Sequence, residues 1–412
     1  MTDQRLTTEL LLQAGRLLLE YNEATAAIHR TLAATAAALT DDPCHVAVSY
    51  RGVVVSLAGN GPVLGEVDEL RYNTAVQARV HQILAAVRAG TLDPPDALAG
   101  LRTVEAETPR HPWWLAALAL AAAAAGLARL LGADGGATAV AGLATGLGLV
   151  ARRELGRQRF SLLALPLTAA FIGAALGGLA IRTGWTGTPE LALVVPALMV
   201  VPGPHLINGL FDAIDNHVPM SLSRLGLATG ILLAGALGVV LGVELTLPGP
   251  GFVERAAGGD HLNLAADMAL AGVVTCGFAV FYNTAWDQLW RAAIGGMAGH
   301  GLRYLALDLG WPLEAATLLG GLAVGAVSAR MARAGGTPVA VVAFAGAVTM
   351  VPGLSLYRAL AGGVQLARSG GLADPATAAA TLGHAVQGCV VVGGLALGLV
   401  LGARGSGLDQ DG

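Results

Sequence analysis

Residues 194–203, VVPALMVVPG, form an apolar run that ends in Val-Pro-Gly. The same tripeptide occurs at residues 351–353, 150 positions further on, after a second apolar run. Proline lacks a backbone N–H and blocks the continuation of a helix, whereas it suits the first turn of a new one. Each copy therefore predicts a helix that is broken inside an apolar segment. The predicted broken-helix residues are Pro202, Gly203, Pro352 and Gly353.

The segments around the two tripeptides follow the same order. A helix needs about 20 residues to cross about 30 Å of hydrocarbon. Ten apolar runs of roughly this size lie at 113–131, 136–151, 161–181, 188–203, 221–243, 267–283, 292–308, 311–328, 337–352 and 377–402. They divide into two units of five, residues 111–244 and 266–404. The pattern predicts a polytopic α-helical membrane protein with about ten transmembrane helices.

The odd number of spans in each unit has a topological consequence. The second unit must enter the membrane from the opposite side, so the two units are predicted to be inverted repeats. Inverted repeats that meet around interrupted helices near the middle of the bilayer are a transporter architecture. The sequence therefore favours a secondary transporter that works by alternating access.

The composition agrees with this class and excludes others. The 412 residues are 54% hydrophobic and 13% charged, whereas an ordinary soluble domain carries about 25% charged residues. All 24 basic residues are arginine, which excludes a P-loop and a Schiff-base lysine. The net charge of −4 argues against nucleic acid as a partner. Three scattered cysteines make neither a disulfide framework nor a zinc site, and no cofactor or metal is expected.

Residues 1–110 differ from the rest because they hold 22 charged residues, against 30 in the remaining 302. Runs of β-branched residues at 45–50 and 53–57, flanked by amphipathic helical stretches, predict a small α/β domain with a two-stranded hairpin. The chain begins without the continuous apolar core of a signal peptide, and the arginine-rich loop 152–159 follows the second span. We therefore expect this domain in the cytoplasm, with a regulatory or assembly role.

A polar stripe follows each break. The first stripe holds four residues at i, i+3, i+7 and i+10, which share one helix face: His205, Asn208, Asp212 and Asp215. The second stripe begins 150 positions later with Ser355 and Arg358. Acidic groups suit an ammonium group or a proton, and arginine suits a carboxylate. These residues predict a site for a zwitterion and protons between the stripes; a surface helix with a hydrated polar face is the alternative for the first stripe.

Secondary candidates lie elsewhere in the second unit. His300 and Arg303 share a helix face at i and i+3 in a short glycine-rich span, which ends near Asp308. Ionisable residues inside membrane segments are costly and commonly face a cavity. We consider an Asp308–Arg303 ion pair or a proton relay here, with an interfacial location as the alternative for Asp308.

Three motifs are shared with a known family. They are Val-Pro-Gly at 201–203 with Asn208-Gly209-Leu210-Phe211-Asp212, Ser221 and Arg224; Trp290-Arg291-Ala292-Ala293-Ile294-Gly295-Gly296 with Gly299 and Arg303; and Val-Pro-Gly at 351–353 with Tyr357 and Arg358. In these motifs the chain resembles the bacterial threonine/serine exporter family over nearly its whole length. It departs from the family at residues 20–25, EYNEAT, where a glycine-containing turn is usual.

The resemblance implies export of small hydroxy amino acids across the bacterial cytoplasmic membrane, driven by the proton-motive force, and no enzymatic activity. Its expected partners are a zwitterionic amino acid, protons and the lipid bilayer, without nucleic acid; a homo-oligomer stays open. Related two-subunit members are linked to dicarboxylate export, so a dicarboxylate exporter is the first alternative. A membrane-embedded hydrolase would need a nucleophile–base pair or a metal cluster that the sequence does not display. A channel would conduct without a proton gradient.

Overall fold

The computed structural model of the chain describes residues 4–58, 61–247, 262–335, 339–372 and 374–405. The first two residues of the predicted span 337–352 lie outside these ranges. Residues 4–106, here called the N-terminal domain, hold four helices and one antiparallel sheet of order β1-β2-β3. Its elements are α1 (Gln4–Glu20), α2 (Thr25–Leu39), β1 (Cys44–Ser49), β2 (Gly52–Leu57), β3 (Val63–Glu66), α3 (Thr74–Arg88) and α4 (Pro94–Ala106).

The third strand is an addition to the predicted hairpin. β3 pairs with β2, with Gly65 opposite Val53. Gly65 is the buried residue of β3, and its three neighbours in the strand are exposed. A four-residue strand with this burial has no apolar alternation in its sequence, which is why the hydrophobic pattern indicated two strands.

One apolar core joins the sheet to the helices of the N-terminal domain. Leu10 and Leu17 of α1 and Val53 and Val55 of β2 are among its fully buried members. Met220, which lies far along the chain beyond the first break, belongs to the same cluster. The core of the N-terminal domain therefore continues into the part of the chain that follows it.

Twelve α-helices follow in the described remainder of the chain. They are α5 (Trp113–Leu130), α6 (Gly135–Arg157), α7 (Ala164–Arg182), α8 (Pro189–Leu198), α9 (Gly203–Ile214), α10 (Val218–Thr246), α11 (Leu264–Phe281), α12 (Leu289–Asp308), α13 (Leu313–Gly335), α14 (Val339–Val348), α15 (Gly353–Ser369) and α16 (Pro375–Gly405).

Six of these helices, among the described residues, are long and apolar enough to cross a membrane: α5, α7, α10, α11, α13 and α16. The count rises to eight if each of two bent pairs, α8 with α9 and α14 with α15, is one span. The chain is thus a polytopic helical membrane protein. Helices α6 and α12 coincide with the predicted spans 136–151 and 292–308, but they are not among the six, so length and composition alone do not reach the predicted ten.

The two breaks have the same backbone structure. Gly203 N–H donates to Val201 C=O over 2.8 Å, and Gly353 N–H donates to Val351 C=O over 2.7 Å. The intervening prolines have φ/ψ of −80°/63° and −77°/53°, which is the geometry of an inverse γ-turn. The chain bends by 63° at the first break and by 54° at the second.

Glycines bring two helix pairs into backbone contact. A Cβ on Gly238 or Gly242 of α10 would lie 2.2 Å from Leu167 O or 2.7 Å from Phe171 O of α7. Likewise, a Cβ on Gly398 of α16 would lie 2.2 Å from Leu318 O of α13. Small residues at such contacts let membrane helices approach closely. The glycine content that would weaken soluble helices therefore serves helix packing here.

We expect the Gly398→Ala variant to lose thermal stability, because its methyl group has no room against α13 and the helices must separate. Gly393→Ala is the matched control on the same helix, since a Cβ there meets nothing within 4 Å and alanine favours a helix. Melting temperatures of the purified variants in one detergent test this. Equal melting temperatures for the two variants would contradict the packing described.

Candidate functional site

A cavity of about 860 Å³ lies between the two breaks. Val201 and Gly203 line it from the first break, and Pro352 and Gly353 line it from the second. We call it the central cavity. Because Gly203 and Gly353 begin α9 and α15, the N-terminal ends of both half-helices reach its wall. Such ends carry partial positive charge and free N–H groups, which favour a negatively charged group.

Three ionisable residues form a chain on one wall of the central cavity; together they are the cavity cluster. Asp267 of α11 lies next to His300 of α12, with Oδ1 of the carboxylate bonded to Nδ1 of the ring. Arg303 Nη1 lies 3.3 Å from Nε2 of the same ring. Asp267 and His300 are buried, and Arg303 Nε has no hydrogen-bond partner among the described residues.

Local sequence explains how the cavity cluster is assembled. The Asn263 side chain accepts from Ala266 N–H at 2.9 Å and so caps α11, which puts Asp267 on the first turn. A Cβ on Gly296 would lie 2.0 Å from Thr275 Oγ1, so glycine lets α12 lie directly on α11. This close approach brings His300 within reach of Asp267.

The contact with Arg303 requires one particular tautomer of the His300 ring. Its Nε2 can accept from Arg303 only when that nitrogen carries no proton, and Nδ1 then donates to Asp267. Protonation at Nε2 would remove the acceptor and place a second cation beside Arg303. A proton on His300 and the present hydrogen bond from Arg303 therefore exclude each other.

A second polar wall comes from α15 and α16. Ser355 Oγ donates to Gln387 Oε1 at 3.0 Å, and both residues line the cavity. Arg358 also lines it and pairs with Glu190, with Nε–Oε1 2.7 Å and Nη2–Oε2 3.0 Å. This is the bidentate arginine–carboxylate geometry. Beyond the pair lies a second cavity of about 200 Å³, lined by Arg358, Glu190 and His384 among others.

The first polar stripe lies elsewhere. Three of its residues are buried: His205, Asn208 and Asp212. They contact the N-terminal domain, and none of them is among the described residues that line the central cavity. Asp212 Oδ2 pairs with Arg224 Nη1 at 2.9 Å, and its Oδ1 accepts from Thr25 N–H at 3.1 Å. The predicted pocket between an acidic and a cationic stripe is therefore not formed in this structure, because the N-terminal domain covers the first stripe.

The same contacts contradict the alternative of a hydrated surface helix for three of the four stripe residues. Asn208 Nδ2 donates to Asn22 C=O at 2.6 Å, and the ring centroids of His205 and Tyr72 lie 5.1 Å apart. Asp215 differs, because it is half-buried and pairs with Arg404 of α16, Nη2–Oδ1 2.7 Å.

Several predicted site residues do meet at the central cavity. They are Gly203, Pro352 and Gly353 of the breaks, together with Ser355, Arg358, His300, Arg303 and Asp308. The predicted Asp308–Arg303 pair is not formed, since the partner of Arg303 among the described residues is His300. Glu190 was missed; its signal is a lone acid in the first turn of the apolar run before the first break. Among the described residues, no group of three or more His, Cys, Asp or Glu could hold a metal.

Two family models match the chain. The one described as "Putative threonine/serine exporter" (ThrE) matches residues 9–246, and the one described as "Threonine/Serine exporter, ThrE" matches residues 267–403. The "Threonine/serine exporter" of Corynebacterium glutamicum is 25% identical over 340 residues, which is 80% of this chain and 68% of the relative. The "Probable succinate transporter subunit YjjP" of Klebsiella aerogenes and that of Escherichia coli are each 24% identical over 248 residues.

Each YjjP match covers 59% of this chain and 95% of the relative. No solved structure gives a significant match. The matched families and relatives are named as exporters and transporters, and the helices are those of a multi-pass membrane protein. The chain belongs to the ThrE family of threonine/serine exporters.

Proposed function

We propose that this chain is a secondary transporter that exports small amino acids of the threonine and serine type by alternating access through the central cavity. The observation that carries the proposal is the cavity of about 860 Å³ between two broken helices, with the cavity cluster on its wall. The name of the Corynebacterium relative supplies the substrate class.

We infer that the membrane part is two inverted units of five spans. The two breaks repeat the same hydrogen bond. The start of α5 lies beside the end of α11, where His111 N–H donates to Asn283 Oδ1 at 2.8 Å. The start of α10 lies near the end of α16, where Asp215 pairs with Arg404. First helices that run in opposite directions, and fifth helices that do the same, support an inverted relation.

With the N-terminal domain in the cytoplasm, the polar end of the central cavity faces outward. Asp267 lies on the first turn of α11, whereas the N-terminal domain bonds to residues just after the end of that helix, where Thr74 N–H donates to Tyr282 C=O at 2.9 Å. The cavity cluster and the N-terminal domain therefore lie toward opposite ends of α11. We assign this conformation to the releasing state of an exporter in the bacterial cytoplasmic membrane.

Arg303 is the proposed partner of the substrate carboxylate. Its Nε has no partner among the described residues, so its planar fork can take a carboxylate in the bidentate manner. The half-helix ends at Gly203 and Gly353 favour the same negative group. The hydroxyl of the substrate would bond with the Ser355–Gln387 pair on the facing wall.

The Asp267–His300 pair is the proposed site of proton coupling. With His300 neutral, the pair carries one negative charge beside the cavity and attracts the ammonium group of a zwitterion. Uptake of a proton cancels that charge, which weakens the hold on the ammonium group. Binding of a proton and binding of the amino acid therefore oppose each other, as proton-driven antiport requires.

A dicarboxylate is the second candidate substrate. Arg358 is a further cation at the cavity, and a second carboxylate could replace Glu190 on it. The YjjP relatives are named as succinate transporter subunits, which gives this alternative its substrate. A four-carbon dicarboxylate would then bind Arg303 at one end and Arg358 at the other.

Proteoliposomes that hold the full chain test the function. When a proton gradient is imposed, we expect labelled threonine and serine to move in the direction opposite to proton flow, and to move faster than succinate. An uncoupler should abolish the effect of the gradient. Faster transport of succinate than of threonine and serine would favour a dicarboxylate as the substrate. Solute flux that an uncoupler leaves unchanged would show a channel, and no flux of any of the three solutes above empty liposomes would contradict the proposal.

A further inference from the structure

The N-terminal domain holds α9 and α10 through the turn between α1 and α2, residues 22–25, here called the 22–25 turn. Thr25 N–H bonds to Asp212, and Asn208 donates to the carbonyl of residue 22. Arg224 Nη2 donates to the carbonyl of Glu23 at 2.5 Å. The pair between Arg224 and Asp212, whose side chains are 0% and 1% exposed, is thus completed by backbone groups of the N-terminal domain.

The N-terminal domain also contacts residues just after the end of α11, the first helix of the second predicted unit. Thr74 donates from its N–H to Tyr282 C=O, and its Oγ1 lies 2.8 Å from Thr284 Oγ1. Both threonines are buried. The N-terminal domain therefore contacts α9 and α10, which precede residue 247, as well as the end of α11, which follows residue 262. The contact with α11 lies at the end of that helix remote from the cavity cluster.

This contact is buried but poorly satisfied. Six side chains in it contain buried polar atoms without a hydrogen-bond partner among the described residues: Asn22, Thr25, Tyr72, His205, Asn208 and Arg224. A buried polar atom without a partner costs about 1–3 kcal/mol, whereas a satisfied hydrogen bond contributes only about 0.5–1.5 kcal/mol. Hydration of these groups on separation would offset much of the free energy of the bonds that break. Separation of the contact would let water reach these groups.

A crevice of about 170 Å³ lies beside the 22–25 turn. The N-terminal domain lines it with Glu23 and Arg30, and the membrane helices line it with Phe344 and Arg404 among others. It shares no described lining residue with the central cavity. Phe344 belongs to one apolar cluster with Met350, which lines the cavity, so apolar packing separates the two spaces.

We propose that the N-terminal domain is the inner gate of the transport path. In the alternate state the 22–25 turn leaves α9 and α10, the contact at Thr74 opens, and the crevice widens into the inner half of the path. The charged rim of the crevice, with Arg30, Arg404 and Glu23, then receives the zwitterionic solute. This inference rests on the proposed transport function and adds a moving part to it.

A disulfide across the gate tests the proposal. In a chain whose Cys44, Cys276 and Cys389 are replaced by serine, Thr74→Cys and Thr284→Cys would place two sulfur atoms where oxygen atoms lie 2.8 Å apart, within reach of a disulfide after a small adjustment. We expect oxidation to lower threonine transport in proteoliposomes at least tenfold and reduction to restore it. Full transport by the oxidised protein would overturn the gate.

The matched control is the pair His45→Cys and Ser56→Cys, which face each other across β1 and β2 inside the N-terminal domain. Its oxidation should leave transport unchanged. If the reduced proteins carry no solute, the transport function itself fails; if reduced and oxidised gate pairs carry solute equally, the gate alone fails.

A second measurement does not depend on disulfide formation. The crevice residue Ala27, replaced by cysteine, should react faster with a maleimide during threonine turnover than at rest, because the crevice widens. An unchanged reaction rate would also overturn the proposal.

Discussion

Replacing Arg303 with alanine should lower threonine transport by about 100-fold while the protein stays folded. The guanidinium is the proposed partner of the substrate carboxylate, and hydrogen bonds to charged groups contribute about 1.5–3 kcal/mol each, where 3 kcal/mol corresponds to roughly 100-fold. Its loss should leave the Asp267–His300 bond in place, since that bond does not involve Arg303. Initial rates of labelled threonine uptake by proteoliposomes measure the effect.

Two variants make the Arg303 result specific. Arg368→Ala removes an exposed arginine that pairs with Glu244 of α10, and it should transport at nearly the normal rate. Arg303→Lys keeps the charge but loses the planar fork, so it should fall between wild type and alanine. Normal transport by a folded Arg303→Ala protein would contradict the proposal that the substrate carboxylate binds Arg303.

Replacing Arg224 with alanine should destabilise the fold by about 3–5 kcal/mol, because it leaves the Asp212 carboxylate buried without its cation. The arginine side chain is fully buried, so water cannot easily take its place. The free energy of unfolding in detergent micelles, measured by thermal or denaturant melts, gives the result. A loss below about 1 kcal/mol would contradict a structural role for the pair.

The double variant Asp212→Leu with Arg224→Met separates structure from proton transfer. Replacing both partners of a buried ion pair by apolar residues is often neutral or stabilising, but the Thr25 N–H and the Glu23 carbonyl also lose their partners here, so we expect only part of the lost stability to return. If coupling resides in the Asp267–His300 pair, the folded double variant keeps a transport rate that depends on the proton gradient. If transport by that variant no longer depends on the proton gradient, Asp212 and not the Asp267–His300 pair would be the site of proton coupling.

Helical periodicity predicted the residues of each polar face but not what covers the face. His205, Asn208 and Asp212 do share one side of α9, as spacing in the sequence indicates. Asp212 bonds to Thr25 and Asn208 bonds to Asn22, each more than 180 positions earlier in the chain, and the ring of His205 lies against Tyr72. A single sequence contains no signal for a contact of that separation. The N-terminal domain was expected to regulate or assemble, and its contact with this face is the unforeseen part.

The central cavity was easier to anticipate from chain breakers than from charge. Proline and glycine act through local backbone geometry, so Pro202 and Pro352 marked the two breaks directly. Asp267, by contrast, stands at the start of an apolar span, where an interfacial acid is common. Its pairing with His300 depends on how closely α12 packs on α11, which spacing within either helix does not specify.

The release of protons on substrate binding tests the central claim most directly. Threonine added to the purified, weakly buffered protein should release protons that a pH-sensitive dye reports. The claim that threonine and a proton oppose each other at the Asp267–His300 pair predicts release by wild type and none by a His300→Gln variant that still binds threonine. Equal release by both proteins would contradict it.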